Sequence, residues 1–274
     1  MTSSTIPALR SFPALRVHGA QRQAFDDSVI QESAIALVYN GTAYAVMMAT
    51  PCDLEDFALG FSLSEGVVAS RSEWRFIEAR SDAQGITLEM HIPQSRFDAL
   101  QLRRRNLAGN SACGLCGAES LRAALRPLAT VDVGDTRFRT SAIHGALDAL
   151  AQAQVLNRAC GGVHAAGFAH EDGLLVREDV GRHNALDKLI GARARAGLDA
   201  GFVVITSRAS YELVHKSASV GIQLFASVSA PTSAAIELAQ QCGLTLIAFA
   251  RNQRMNLYTH SDRVIDWQHP GSNV

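Results

Sequence analysis

Phe202-Val203-Val204-Ile205-Thr206 decides the fold class, because its first four residues are apolar without a break and leave no wet face for a surface strand. A strand covered by helices on both faces has this composition, and parallel sheets are built from such strands. The pattern repeats outward from it. Residues 211–221 read as a helix, 224–228 as a strand, 232–241 as a helix stopped by Cys242-Gly243, and 244–250 as another buried strand. Upstream, 182–196 reads as a helix with Ala185, Leu186, Leu189 and Ile190 inward, after strands at 163–169 and 174–178 around Glu171-Asp172-Gly173. Residues 141–155 read as a further helix with Ile143, Leu147, Leu150 and Ala151 inward. Strands alternating with helices predict an α/β sheet covered by helices, with parallel neighbours toward its end.

The first hundred residues follow another pattern. Residues 34–39 and 44–49 are apolar runs joined by Asn40-Gly41, a strong hairpin signal. Asp53 reads as the N-cap of a helix, with Asp56 in capping-box position and Leu54, Phe57, Ala58 and Phe61 on one face, ending at Gly66. Residues 74–79 and 86–92 form a second strand pair around Ser81-Asp82-Ala83-Gln84-Gly85, and 97–102 read as helical after Pro93. The expected plan is a flexible arm over residues 1–30, a small α+β domain over 31–105, a cysteine loop over 106–117 and a larger α/β domain over 118–274, α+β overall.

A formal net charge of −1 lacks the excess of Lys and Arg that a general nucleic-acid binder needs. No apolar run approaches the roughly 18 residues of a membrane span, and residues 1–20 lack the apolar core of a signal peptide, so a cytoplasmic protein is expected. Five cysteines, an odd number with one close pair, do not make a secreted disulfide framework.

That close pair lies in Asn110-Ser111-Ala112-Cys113-Gly114-Leu115-Cys116-Gly117. Glycines 114 and 117 free the backbone and remove bulk around both sulfurs. Arg103, Arg104 and Arg105 upstream, with a helical run after Gly117, favour the thiolate. Three chemistries fit: disulfide exchange, sulfur carriage as a persulfide, or half of a zinc site completed by Cys160 and His164, for which the strand-like flanks of the latter pair are unsuited. Cys52, Cys160 and Cys242 read as packing residues, as do the scattered His144, His164, His170, His215 and His260.

In open α/β sheets, ligands bind beyond the carboxyl ends of the strands. Here those ends run into Gly181-Arg182-His183-Asn184, Ser207-Arg208-Ala209-Ser210, Ser229-Ala230-Pro231-Thr232 and Arg251-Asn252-Gln253-Arg254. Serine and threonine are also ordinary caps, but four such ends on one edge, three with arginine, suit phosphate. Asp179 could orient Arg182 or His183. Neither G-x-G-x-x-G nor G-x-x-x-x-G-K-[ST] occurs, so no Rossmann site or P-loop is indicated.

The cysteine loop, Gly161-Gly162-Val163-His164-Ala165-Ala166, residues 177–188, Ser207-Arg208-Ala209-Ser210-Tyr211-Glu212, Ser229-Ala230-Pro231-Thr232-Ser233 and residues 249–256 together resemble the FdhD family of sulfur-carrier proteins, over residues 30–260. The resemblance implies a cytidine-deaminase-like fold for the larger domain. It also implies a sulfurtransferase that takes persulfide sulfur from a cysteine desulfurase and passes it to the molybdenum cofactor, as bis(molybdopterin guanine dinucleotide), for formate dehydrogenase. By that resemblance Cys113 is the persulfide-forming cysteine, Cys116 its partner, and Phe249, Ala250, Arg251, Asn252, Gln253 and Arg254 the cofactor-binding segment, for which GDP or GMP would be a surrogate ligand. The edge residues Gly181, Arg182, His183, Ser207, Arg208, Ser229 and Thr232 join that segment as candidate cofactor contacts. Deaminase chemistry is not expected, since H-x-E and P-C-x-x-C are missing: Ala165-Ala166 follow His164, and Thr232 follows Pro231. A two-fold dimer is the default expectation for a protein of this kind.

Overall fold

The computed structural model describes residues 7–109, 128, 130–132, 134 and 136–266. The chain begins with a hairpin, β1 (Leu9–His18) and β2 (Gln21–Ile30), paired in register from Leu9 with Ile30 to His18 with Gln21. This corrects the expectation that regular structure starts after residue 30. The signal was hidden because the strands are mostly exposed and carry Pro13 and several arginines, so no buried face alternates.

Next come β3 (Ser33–Tyr39), β4 (Thr42–Ala49), helix α1 (Leu54–Ser64), β5 (Arg75–Ser81), β6 (Ile86–His91) and helix α2 (Gln94–Gly109). Their four strands form one sheet in the order β4-β3-β6-β5, with β3 and β6 parallel. Asn40 and Gly41 both take positive φ in the first turn, as its sequence predicts. Ile35, Leu37, Tyr39, Leu88 and Met90 close on Phe57 and Phe61 of α1. Asp53 does precede this helix, but in the left-handed region and without a side-chain cap bond. Helix α2 runs through residue 105 to Gly109, so residues 106–109 continue it and do not open the cysteine loop.

The rest is β7 (Phe138–Arg139), α3 (Thr140–Ala153), α4 (Val155–Cys160), β8 (His164–His170), β9 (Gly173–Asp179), α5 (Arg182–Ala196), β10 (Phe202–Ile205), α6 (Tyr211–Ser219), β11 (Leu224–Ser227), α7 (Ser233–Cys242), β12 (Thr245–Arg251), β13 (Arg254–Leu257) and β14 (Val264–Ile265). A six-stranded sheet runs β13-β12-β11-β10-β8-β9, with β10, β11 and β12 parallel as expected. Helices α5, α6 and α7 pack Leu186, Leu189, Leu213, Val214 and Leu238 on one face, and α3 packs Ile143, Leu147 and Leu150 on the other. All four residues of β10 are buried, as its composition requires. Two details differ from the pattern. Ala151 is exposed and Ala146 takes the inward position, and the helix expected over 141–155 breaks at Gln154 before the short α4.

The two units meet where α1 crosses α5 backbone to backbone. A Cβ at Gly60 would stand 1.7 Å from the Asp187 carbonyl oxygen, and one at Gly191 would stand 1.9 Å from that of Asp56. Only glycine permits this approach.

Candidate functional site

Strand direction gathers the predicted ends. β8 is antiparallel to both β10 and β9, so β9 runs with β10, β11 and β12. The carboxyl ends of these four strands and the start of β8 therefore share one edge of the sheet. Gly181 to Asn184, Ser207 to Ser210, Ser229 to Thr232 and Arg251 to Arg254 all lie there, with His164 beside them, directly opposite Asp179 in the β8–β9 ladder.

The side chains divide by role. Ser207 is buried, and its hydroxyl donates to the Arg208 carbonyl while its own carbonyl accepts from Ser227 Oγ at 2.6 Å. Thr232 caps α7, accepting from the Ala235 amide at 3.2 Å. Ser229 accepts from the Phe249 amide at 3.1 Å through its carbonyl, and the Ala209 and Thr232 amides lace the two loops together. These residues build the edge. Arg208, Arg251, Asn252, Gln253 and Arg254 are exposed and free to meet a ligand.

The turn between β12 and β13 is unusual in two ways. Phe249 takes φ 52°, a left-handed conformation that an aromatic side chain rarely adopts, and a register shift separates Ala248 from Arg251. Backbone strain of this kind concentrates at binding and catalytic sites. Asn252 and Gln253, at φ 53° and 56°, then make a tight turn that sets Arg251 directly opposite Arg254. Like charges facing each other across a strand pair repel unless an anion lies between them.

At the other end of the edge, Gly181 caps α5, and its amide donates to Asp179 Oδ1 at 2.8 Å. His183 Nε2 lies 3.0 Å from Glu212 Oε2, above a cleft of about 250 Å³ that reaches down to Lys216. Burial and the Arg182 guanidinium both push His183 below its usual range, outweighing Glu212, and the same two causes, in the same order, lower His164. Asp179 does not orient Arg182 or His183. Its carboxylate is fully occupied inward, by Lys188 Nζ at 2.7 Å, the Thr50 amide at 3.0 Å, the Gly181 amide and Asn184 Nδ2. Glu178 likewise accepts from the Leu156 and Asn157 amides and so anchors the start of α4.

Beneath the edge lies a polar seam between the two units that apolar periodicity did not reveal. Asp56 accepts from both Arg177 and Arg195, which explains why this carboxylate makes no capping box. Lys188, fully buried, also donates to the Thr50 carbonyl and approaches Cys52 Sγ at 3.6 Å. Lys216 bonds Asp187, Ser64 and Glu65. Burial alone would lower the Lys216 pKa, but the carboxylates of Asp187 and Glu65 hold it above its ordinary value. The signal was available: Asp187 and Lys188 stand together inside an otherwise apolar helical stretch, where charge is tolerated only when paired.

Cys113 and Cys116 lie outside the described residues. Among those described, no cluster of three or more His, Cys, Asp or Glu side chains could hold a metal, and Cys160 Sγ turns back to the Leu156 carbonyl of its own helix. No helix of the described residues is long and apolar enough to cross a membrane.

A family model described as the FdhD/NarQ family matches residues 30–265. The chain belongs to that family. Relatives named sulfur carrier protein FdhD include one from Xanthomonas oryzae pv. oryzae, 48% identical over 272 residues, with 96% of each chain covered. Another from Xanthomonas campestris pv. campestris is 51% identical over 253 residues, covering 91% of this chain and 90% of the relative. A crystal structure described as that of a candidate formate dehydrogenase accessory protein from Desulfotalea psychrophila superposes with a TM-score of 0.72 at 24% identity, over 94% of this chain and all of the other. That likeness carries the FdhD/NarQ assignment to the level of the fold, a mixed α/β architecture.

Proposed function

We propose that this chain is a sulfur carrier in formate dehydrogenase maturation, with the molybdenum cofactor in its bis(molybdopterin guanine dinucleotide) form as the substrate that receives sulfur. The observation that supports ligand binding at the edge is the opposed, exposed pair Arg251 and Arg254 beside the strained Phe249. A phosphate of a guanine nucleotide would neutralise the two guanidinium groups, and the hydroxyl-capped helix starts along the same edge add amide donors. Near-full-length identity to curated sulfur carriers supports the sulfur chemistry.

In this reading the Cys113 thiolate attacks the outer sulfur of a cysteine desulfurase persulfide. A Cys113 Sγ–S bond forms, the donor S–S bond breaks, and the donor cysteine leaves as its thiolate, with no net redox change. Attack by the Cys116 thiolate on Cys113 Sγ then forms a Cys113–Cys116 disulfide and breaks the Cys113 Sγ–S persulfide bond, whose electron pair leaves on the outer sulfur as hydrosulfide. The larger unit is taken as cytidine-deaminase-like in fold without deaminase chemistry, and the working protein as a cytoplasmic homodimer.

Incubation with desulfurase and ³⁵S-cysteine tests the sulfur step. Label should appear on the wild-type protein and vanish in Cys113→Ala with folding unchanged; a fully labelled, fully active Cys113→Ala protein would refute the assignment. Calorimetry with GDP tests the edge: Arg251→Ala and Arg254→Ala should each weaken binding about tenfold, or about 1.4 kcal/mol, and unchanged affinity in both removes the turn from the site.

A further inference from the structure

The β8–β9 end of the edge gathers one guanidinium and two imidazoles, and no carboxylate of the described residues meets Nε of the guanidinium. Arg182 Nε is shut off from water and has no hydrogen-bond partner among the described residues. The nearest acids by sequence are committed elsewhere: Asp179 to Lys188, Thr50, Gly181 and Asn184, and Glu178 to the backbone of α4. His164 and His183 both lie within electrostatic reach of the Arg182 guanidinium, and of the two only His183 has a carboxylate partner among the described residues, Glu212. A sealed guanidinium nitrogen without an acceptor is costly unless a ligand supplies one.

The surroundings fit an incoming oxyanion. Helix α5 is 15 residues long, and its Gly181 cap makes no side-chain bond, so no cap hydroxyl competes for the first-turn amides that face beyond the strand ends. Gly161 and Gly162, just before His164, are exposed, and nothing lies within 4 Å of where a side chain at Gly161 would begin. The approach is open. Of the strands at this end, β8 is three positions from β12 and β9 is four, about 14 to 19 Å at the usual spacing of sheet strands, so it is separate from the Arg251–Arg254 turn.

Resting on the nucleotide reading given above, we infer that His164, Arg182 and His183 form a second oxyanion subsite, which takes a phosphoryl group of the same ligand whose other end meets the β12–β13 turn. His164, which the sequence presents as one of several scattered histidines, thereby becomes a binding residue. A ligand engaging both subsites must span roughly 14 to 19 Å, which suits a dinucleotide better than a mononucleotide.

Inorganic pyrophosphate is the probe, titrated calorimetrically into the full chain. Arg182→Gln and His164→Gln should each weaken it at least fivefold, and should do so equally in an Arg254→Ala background, where the turn's own phosphate site is already impaired. On the wild-type protein, where folding is not in question, pyrophosphate should shift the imidazole NMR signals of His164 and His183. Unmoved imidazole signals, or pyrophosphate affinity lost in Arg254→Ala but kept in the two cluster variants, overturns the subsite and leaves the turn intact. If GDP binds and pyrophosphate does not, the subsite also falls while the nucleotide reading stands. If neither binds, both fall.

Discussion

Lys216 shows how a single buried charge can be both indispensable and invisible to periodicity. Its ammonium meets Asp187, Glu65 and Ser64, so replacing it with methionine leaves Asp187 buried beside a single hydroxyl donor. Lys216→Met should therefore cost about 3 to 5 kcal/mol in urea unfolding, more than its shape change alone would. His183 gives a pH signature. Its folded pKa lies below the usual 6.5, so between that folded value and 6.5 the unfolded chain binds the extra proton. Stability contributed by the neutral ring is then present above 6.5 and is lost as pH falls through this window. The urea midpoint of His183→Gln should drop less between pH 7.5 and 5.5 than that of the wild type. These residues differ in how far the sequence revealed them. His183 stood out at a helix start among polar neighbours, whereas Arg177, which meets Asp56, and Thr50, which meets both Asp179 and Lys188, lie more than 100 residues from those partners, and no local pattern could name them.

Elements with strong local signals were legible almost to the residue. Helix α5 begins and ends where its apolar spacing predicts, with Gly197 as its left-handed C-cap, and the Asn40-Gly41 hairpin forms in the expected pairing. Elements lacking an apolar face were not: β1, β2 and β13 are set by pairing with a neighbour, and α4 by carboxylate anchoring from Glu178. The crossing of α1 on α5 tests how close packing and helix propensity compete. Alanine normally stabilises a helix relative to glycine by up to about 1 kcal/mol, yet Gly60→Ala and Gly191→Ala drive a methyl into backbone oxygen and should instead destabilise by about 1 to 3 kcal/mol. At Phe249 the order reverses again. Because its backbone is left-handed, Phe249→Gly should be more stable than Phe249→Ala by about 1 kcal/mol, measured by thermal melting, and GDP affinity should fall in both.

At the scale of the whole molecule, the alternation of strands and helices foretold the helix-covered sheet and the common edge of its strand ends, because both follow from chain direction alone. It could not foretell how the small unit sits on the large one, since that depends on side chains from distant segments. The hairpin β1–β2 meets the larger unit through β2, beside α4 and Gly162, while Phe12, Leu15, Val17 and Val29 remain exposed on it, and two strands alone are marginally stable. Removing residues 1–30 should leave the melting of the remaining protein within a few degrees of the intact chain by calorimetry. The seam has the opposite property. The hydrogen bonds and ion pairs described across it come from residues 48–66 on one side and 177–219 on the other, and none requires a peptide link between them. Two polypeptides, 1–109 and 128–274, would carry the whole set between them and should reassemble by complementation when co-expressed, copurifying as an equimolar pair. Gly60→Leu, which wedges a side chain against the α5 backbone, should abolish that pairing, which makes one glycine the condition for the two halves to recognise each other at all.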